Sequence, residues 1–282
     1  MGPFSPAEYF WLIVLGFVVG LYGTLIGAGG GFVLMPLLLL LHPQASPEQL
    51  TAISLAVVFF NALSGSEAYA FMGRIDYKSG LMFAAATIPG AVIGALNTSL
   101  VPRPLFNVIF GVILLGAAVF LFWRPAVRPH DAEAHLHHPQ VSRHLVAAGG
   151  EMYDYKFNPL VGIGISFAVG YASSFLGIGG GIIHVPALVY FLDFPVHIAT
   201  ATSHFILAIM ALTGTLVHIW AGHLHEGARH TLCLSIGVLL GAPLGAHLSN
   251  RIRGRWIIRS LALALVLVSL RILLMGLHSR LI

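Results

Sequence analysis

Residues Gly177 to Val189 read GIGGGIIHVPALV, and Gly27 to Leu39 read GAGGGFVLMPLLL. Each stretch sets a glycine run and a proline inside an otherwise apolar segment. Glycine adopts left-handed backbone at no steric cost, and proline cannot donate an interior helix hydrogen bond. Both stretches therefore predict a helix that stops, turns sharply and starts again. At an offset of 150, Gly27, Gly29, Gly30, Gly31 and Pro36 fall on Gly177, Gly179, Gly180, Gly181 and Pro186.

The chain around these breaks is built for lipid. Of its 282 residues 57% are hydrophobic and 9% charged, and the mean hydropathy is +0.90. Soluble domains carry about 25% charged residues, so the composition predicts a polytopic membrane protein. The formal charge of +4 then reports loop orientation, and no aromatic-studded basic patch points to nucleic acid. The single cysteine, Cys233, excludes an internal disulfide or a CxxC site. The N-terminal run has no basic segment ahead of it, which argues against a cleaved signal peptide.

Apolar segments fall at 7–26, 30–41, 47–72, 78–98 and 104–123, then at 158–176, 180–192, 196–221, 230–249 and 256–276. A span takes about 20 residues, so the second segment of each set is too short to cross alone. The two sets are one pattern written twice. At an offset of 149, Thr51, Ala52, Ser54, Gly65 and Gly73 fall on Thr200, Ala201, Ser203, Gly214 and Gly222; at 151, Gly90 and Gly94 fall on Gly241 and Gly245. Gly90-x-x-x-Gly94 and Gly237-x-x-x-Gly241-x-x-x-Gly245 read as faces for close helix packing. The expected architecture is an all-α polytopic membrane protein of two inverted five-segment repeats, 1–124 and 158–282, joined by a polar, mobile linker at 125–157. An odd number of crossings per repeat puts ten Lys and Arg on one side and four on the other, which makes the linker side cytoplasmic and leaves both termini outside.

In hydrocarbon an unpaired backbone group costs several kcal/mol, so a break survives only inside protein or beside water. Matching breaks in two repeats are the sequence pointer to a transporter's central site. The helix that restarts there has N–H groups without intrahelical partners and a partial positive charge, which suits an anion. Gly29, Gly30, Gly31, Gly179, Gly180 and Gly181 are the candidate lining. No Lys or Arg lies deep in a segment, so hydroxyls and imidazoles must supply the rest. Thr200, His204, Ala211, Thr215 and His218 share one helix face, as do Ser54, Asn61 and Gly65. His184 sits in the first turn after its break. Glu67, the one carboxylate within a predicted span, is close to that span's end.

GAGGGFVLMP and GIGGGIIHVP, with ATATSH at 199–204 and LSGSEAYAFMGRIDYKSG at 63–80, resemble the TauE/SafE family of sulfite exporters over nearly the whole chain. The resemblance implies export of sulfite, a sulfonate or a related organosulfur anion through the cytoplasmic membrane by a non-enzymatic carrier without cofactor or metal. It carries onto Gly27, Gly29, Gly30, Gly31, Pro36, Ser54, Gly177, Gly179, Gly180, Gly181, Pro186, Thr202 and Ser203. His184 departs from it, standing where an apolar residue is expected. The implied partners are the small anion and the bilayer, with room for a homodimer. No glycine run ends in GK[ST] after a strand, so no ATP-binding loop is present.

A rival reading rests on the fifteen histidines. His218, His223, His225 and His230 cluster near one membrane surface, and His130, His135, His137 and His138 lie in the linker. Imidazole binds Zn, Ni, Cu or Fe, which would make a metal transporter or a membrane-bound metalloenzyme. Such a site should also bring carboxylates, and only Glu226 and Asp131 are near.

Overall fold

The computed structural model describes residues 6–123, 140–249 and 251, with scattered positions between 259 and 273. In the first half α1 (Pro6–Ile26) stops at the first glycine run and α2 (Gly31–Leu41) restarts after it; α3 (Pro47–Phe71), α4 (Tyr77–Asn97) and α5 (Arg103–Trp123) follow. In the second half α6 (Pro159–Leu176) stops at the second run and α7 (Gly181–Phe191) restarts, followed by α8 (Val196–Trp220) and α9 (Ala228–Ser249). The described positions of the tenth segment, between 259 and 273, are helical. Among the described residues six helices are long and apolar enough to cross a membrane: α1, α3, α4, α6, α8 and α9. At 11 residues each, α2 and α7 reach about 16 Å at 1.5 Å per residue, half of a ~30 Å core.

Local chemistry sets the boundaries. Ser46 and Gln49 form a reciprocal capping box at the start of α3, with Pro47 in its first turn, and Asn158 caps α6 ahead of Pro159. These caps satisfy amides that a helix start leaves free. The end of α2 is closed from a distance. The Arg103 guanidinium donates to the carbonyls of Leu39, His42, Pro43 and Ala45 at 2.5–3.1 Å.

Two glycine seams bind the halves together. α1 packs along α9, and α6 along α4. A methyl group added at Gly20 would lie 2.6 Å from Val238 Cα, and one at Gly241 would lie 2.8 Å from Leu21 N. On the other seam, Gly94 would meet Phe175 N at 3.0 Å and Gly170 would meet Thr87 Cα at 3.0 Å. Successive glycines 237, 241 and 245 face Ile13, Phe17 and Leu21 in turn, so α1 and α9 run parallel. The small-residue faces are packing surfaces, as their spacing suggested.

One expectation needs correcting: the fold is not all helix. The described part of the polar stretch forms an antiparallel hairpin of β1 (Val141–Val146) and β2 (Met152–Phe157), with Val141 opposite Phe157. Burial alternates along VSRHLV and MYDYKF, which is strand period, and Gly150 at φ 82° closes the turn. Nor does this part hang free. Tyr155, Phe157, Phe83 and Phe194 form a buried cluster, and Ala148 N–H donates to Met72 O at 3.0 Å. Residues 125–139 of the predicted linker lie outside the described residues.

If the seams carry the fold, Gly241→Leu should destabilise it by the ~1–3 kcal/mol typical of overpacking. Gly164, exposed and with nothing within 4 Å of an added Cβ, should accept leucine at no cost. Melting temperatures of the two variants in detergent check this.

Candidate functional site

The two glycine breaks cross in direct backbone contact. A Cβ at Gly31 would lie 2.6 Å from Ile178 O, and one at Gly181 would lie 2.7 Å from Ala28 Cα while overlapping Gly27 O. No side chain fits between the strands of this cross. Gly27, Gly29, Gly30, Gly177 and Gly179 all have left-handed φ, from 65° to 81°, which glycine alone adopts freely. Gly180 departs from its counterpart Gly30. Its φ is −30°, and its N–H donates to Ser173 Oγ.

Repeat-related residues surround the cross in matching places. Gly29 and Gly179 each face both Val58 and Leu207, while Gly27 faces Thr200 and Gly177 faces Thr51. Neither α2 nor α7 has a side-chain cap at its N-terminus. Ser54 Oγ donates to Gly177 O at 2.5 Å. Its repeat mate Ser203 is fully buried and has no hydrogen-bond partner.

Beside the first break lies a buried polar cell. Thr24 Oγ1 donates to Asn61 Oδ1 at 3.0 Å and sits 3.2 Å from His204 Nε2. Tyr69 Oη donates to Thr24 O at 2.7 Å, and its ring stands edge-on to His204 at 5.8 Å between centroids. Gly65 leaves the room that His204 occupies; a Cβ there would lie 2.6 Å from His204 Nε2. Asn61 Nδ2 and His204 Nδ1 are buried without partners. The repeat mates of Thr24, Asn61 and His204 are Ser174, Met210 and Leu55, so a hydroxyl stands on both sides of the cross, the amide and the imidazole on one side only.

The structure thus brings together the six run glycines with Ser54, Asn61 and His204, and sets Ser203 next to His204 on α8. Two candidates fall elsewhere. Thr202 Oγ1 accepts from Asp76 N–H at 3.0 Å at the foot of α4. Two residues turn a helix by about 200°, so Thr202 points away from the face that carries Thr200 and His204. His184 Nε2 sits 3.2 Å from Ser166 Oγ, with its ring 6.4 Å from that of Phe83. Glu67 is exposed. Thr24 and Tyr69 escaped the sequence reading. Asn61, Gly65 and Tyr69 lie at i, i+4 and i+8, a helix-face signal that could have found Tyr69; Thr24 announces itself only as a hydroxyl one turn ahead of a break.

A second cluster pins the hairpin to the bundle. Asp76 caps α4 by accepting from Ser79 N–H at 3.1 Å. Its other oxygen accepts from Ser79 Oγ at 2.5 Å and Tyr155 Oη at 2.8 Å, and faces Arg143 Nε at 3.3 Å. Burial, and then the Asp76 carboxylate, hold the Tyr155 phenol well above its ordinary range. Glu151 is held below the usual carboxylate range by the Tyr153 hydroxyl and by Arg74 at 3.1 Å.

The histidines at the helix ends pair but do not gather. His218 Nδ1 lies 3.3 Å from His223 Nδ1, and the His42 and His230 rings meet edge-on at 4.9 Å. Among the described residues no three of His, Cys, Asp and Glu come together as a metal site. His130, His135, His137 and His138 lie outside the described residues.

The sequence profile described as Sulfite exporter TauE/SafE matches residues 12–272. The chain belongs to this family. It is 33% identical to the probable membrane transporter protein YunE of Bacillus subtilis over 274 residues, 95% of this chain and 98% of YunE. A probable membrane transporter protein of a Sinorhizobium species, ORF9, is 26% identical over 94% of this chain and 92% of its own length. One from Methanocaldococcus jannaschii is 24% identical over 86% of each. No solved structure matches the chain. With six membrane-length helices, this family member is a multi-pass membrane protein.

The Asp76 cluster makes its own prediction. Arg143→Ala should free the hairpin and speed limited proteolysis within 141–157 at least severalfold, whereas Lys156→Ala, exposed and paired with nothing here, should leave the cleavage rate unchanged.

Proposed function

We propose that the chain is a secondary transporter that exports a small anion of the sulfite or sulfonate class by alternating access. The crossing of two glycine breaks inside the membrane, beside buried and unpartnered polar groups, carries this reading. Uncapped N-termini of α2 and α7 supply partial positive charge. The Asn61 amide and the Ser203 hydroxyl supply hydrogen-bond donors, and no fixed cation is needed. Glycine lets the ligand approach the backbone itself.

The repeats are inverted in this reading. α3 and α8 are repeat mates, and they run antiparallel: Gly65 faces His204 while Gly214 faces Leu55. The α1–α9 and α6–α4 seams are likewise mates of each other. Each half is then a re-entrant helical hairpin followed by three crossings, which puts the β-hairpin in the cytoplasm by the distribution of Lys and Arg. Alternating access would open the cross to each side in turn. For an anion moving alone, a negative interior favours exit by about 2.3 kcal/mol per charge per 100 mV.

Flux of labelled sulfite and methanesulfonate in proteoliposomes tests the reading. Saturable flux of either, lowered at least tenfold by Gly180→Leu, is the expected result. The leucine has no room, since a Cβ at Gly180 already lies 2.7 Å from Val169 Cγ1. Absence of saturable flux, or full flux in a folded Gly180→Leu variant, would overturn it.

A further inference from the structure

We infer that His204 binds a proton together with the transported anion, so that each anion moves with one H+. This rests on the transporter reading above and assigns the coupling ion and the group that carries it.

The argument starts from which nitrogen is basic. Thr24 gives its one hydroxyl proton to Asn61 Oδ1. Towards His204 Nε2, 3.2 Å away, it can then only accept, so Nε2 carries the ring's hydrogen and Nδ1 is the bare nitrogen. Nδ1 is buried and has no partner. Such a group is costly to leave unsatisfied, and no side chain of this cell forms a hydrogen bond with it.

The surroundings decide when it can be protonated. Thr24 faces the ring from α1, and Asn61, Gly65 and Tyr69 face it from α3. Along α8 itself its neighbours one turn away, Thr200 and Leu207, lie against the first break. None of these is charged, and the backbone carbonyls of Gly27 and Asn61 also lie by the ring. Arg74 lies beyond Tyr69 and is bound to Glu151 at 3.1 Å. With the cell empty, an imidazolium would be a buried charge without a counterion, so the ring stays neutral. An oxyanion at the cross changes this. It brings the missing negative charge and an acceptor for two groups that now form no hydrogen bond, the protonated Nδ1 and the Asn61 Nδ2 amide. Each ligand then raises the affinity for the other, as linkage requires. The proton comes from water on the open side and leaves with the anion on the other. The complex carries one negative charge fewer than the bare anion.

Asymmetry favours this assignment over a packing role. The frame of the cross is written twice, yet the mate of His204 is Leu55, and Gly214 faces Leu55 as Gly65 faces His204. Leucine fills that position adequately for packing. Imidazole is therefore not required by the fold.

The test counts protons and charge per anion in proteoliposomes of the wild-type chain, using methanesulfonate and sulfite with a trapped pH dye and a voltage clamp by potassium and valinomycin. Methanesulfonate carries no titratable proton near neutral pH, so any proton that moves with it belongs to the protein. One H+ per methanesulfonate, with flux insensitive to voltage, is expected; for sulfite the net charge should be one unit less negative than that of the ion. His204→Gln should lose the proton movement and make the residual flux voltage-driven. A merely structural histidine would lower flux at an unchanged proton count. Wild-type flux that carries the full anion charge without H+, or a His204→Gln protein that still moves one H+ per anion, would overturn the inference while leaving the transporter in place. No saturable flux of either anion would remove the transporter and this coupling together.

Discussion

Backbone meeting backbone where the two glycine breaks cross is the constraint on which the remaining architecture depends. Hydrocarbon offers broken helices no hydrogen bonds, so both breaks have to be enclosed by protein. They enclose each other, with Gly31 against Ile178 and Gly181 against Gly27 and Ala28. That contact demands glycine on both strands and places the starts of α2 and α7 at one point. It also demands that α1 and α6, which deliver the breaks, stand at fixed depth. The glycine seams on α9 and α4 do this, because ridges that approach at backbone distance cannot slide without collision. Even the far end of α2 is closed from elsewhere, by Arg103 donating to four carbonyls.

Much of this frame is legible in the residues. Three consecutive glycines and a proline, repeated at an offset of 150, place both breaks and both short helices. Gly90, Gly94, Gly237, Gly241 and Gly245 name their seams by spacing alone. What escapes is tertiary choice. Thr202 and Ser203 are neighbours in one motif, yet 100° of helix rotation sends Thr202 to the backbone of Asp76. His184 reads as a ligand by its nearness to Gly181, yet its partner is Ser166 on α6. Thr24 and Tyr69 are invisible as site residues until α1 and α3 are brought together.

The β-hairpin shows the same limit from the opposite direction. Charges of both signs and many histidines make residues 125–157 look like a solvated tether. VSRHLV has three polar residues in a row and MYDYKF alternates only briefly, and hairpins alone are marginal in water. Docking is what stabilises it: Asp76 receives Tyr155 and Arg143 while capping α4, and Phe83, Phe157 and Phe194 cover one face. One carboxylate thus ties the hairpin to the start of α4, and its own amide ties both to Thr202 on α8. Helices α4 and α8 also pack on each other, so the hairpin is anchored where the two halves of the chain meet.

Duplication leaves a further trace in what it failed to preserve. Every position that shapes the cross is kept in both halves: the glycines, Thr51 and Thr200, Val58 and Leu207, Ser54 and Ser203. Of the positions that make it polar, the amide and the imidazole stand in one half only. Thr24, Asn61 and His204 face Ser174, Met210 and Leu55 across the pseudo-symmetry. A symmetric frame is needed for a carrier whose inward and outward states are mirror rearrangements of the same contacts. The ligand has no such symmetry. In the proposed reading it binds once, off the axis, where the unpaired amide and imidazole are, and the mates Met210 and Leu55 form the apolar wall against which that side closes.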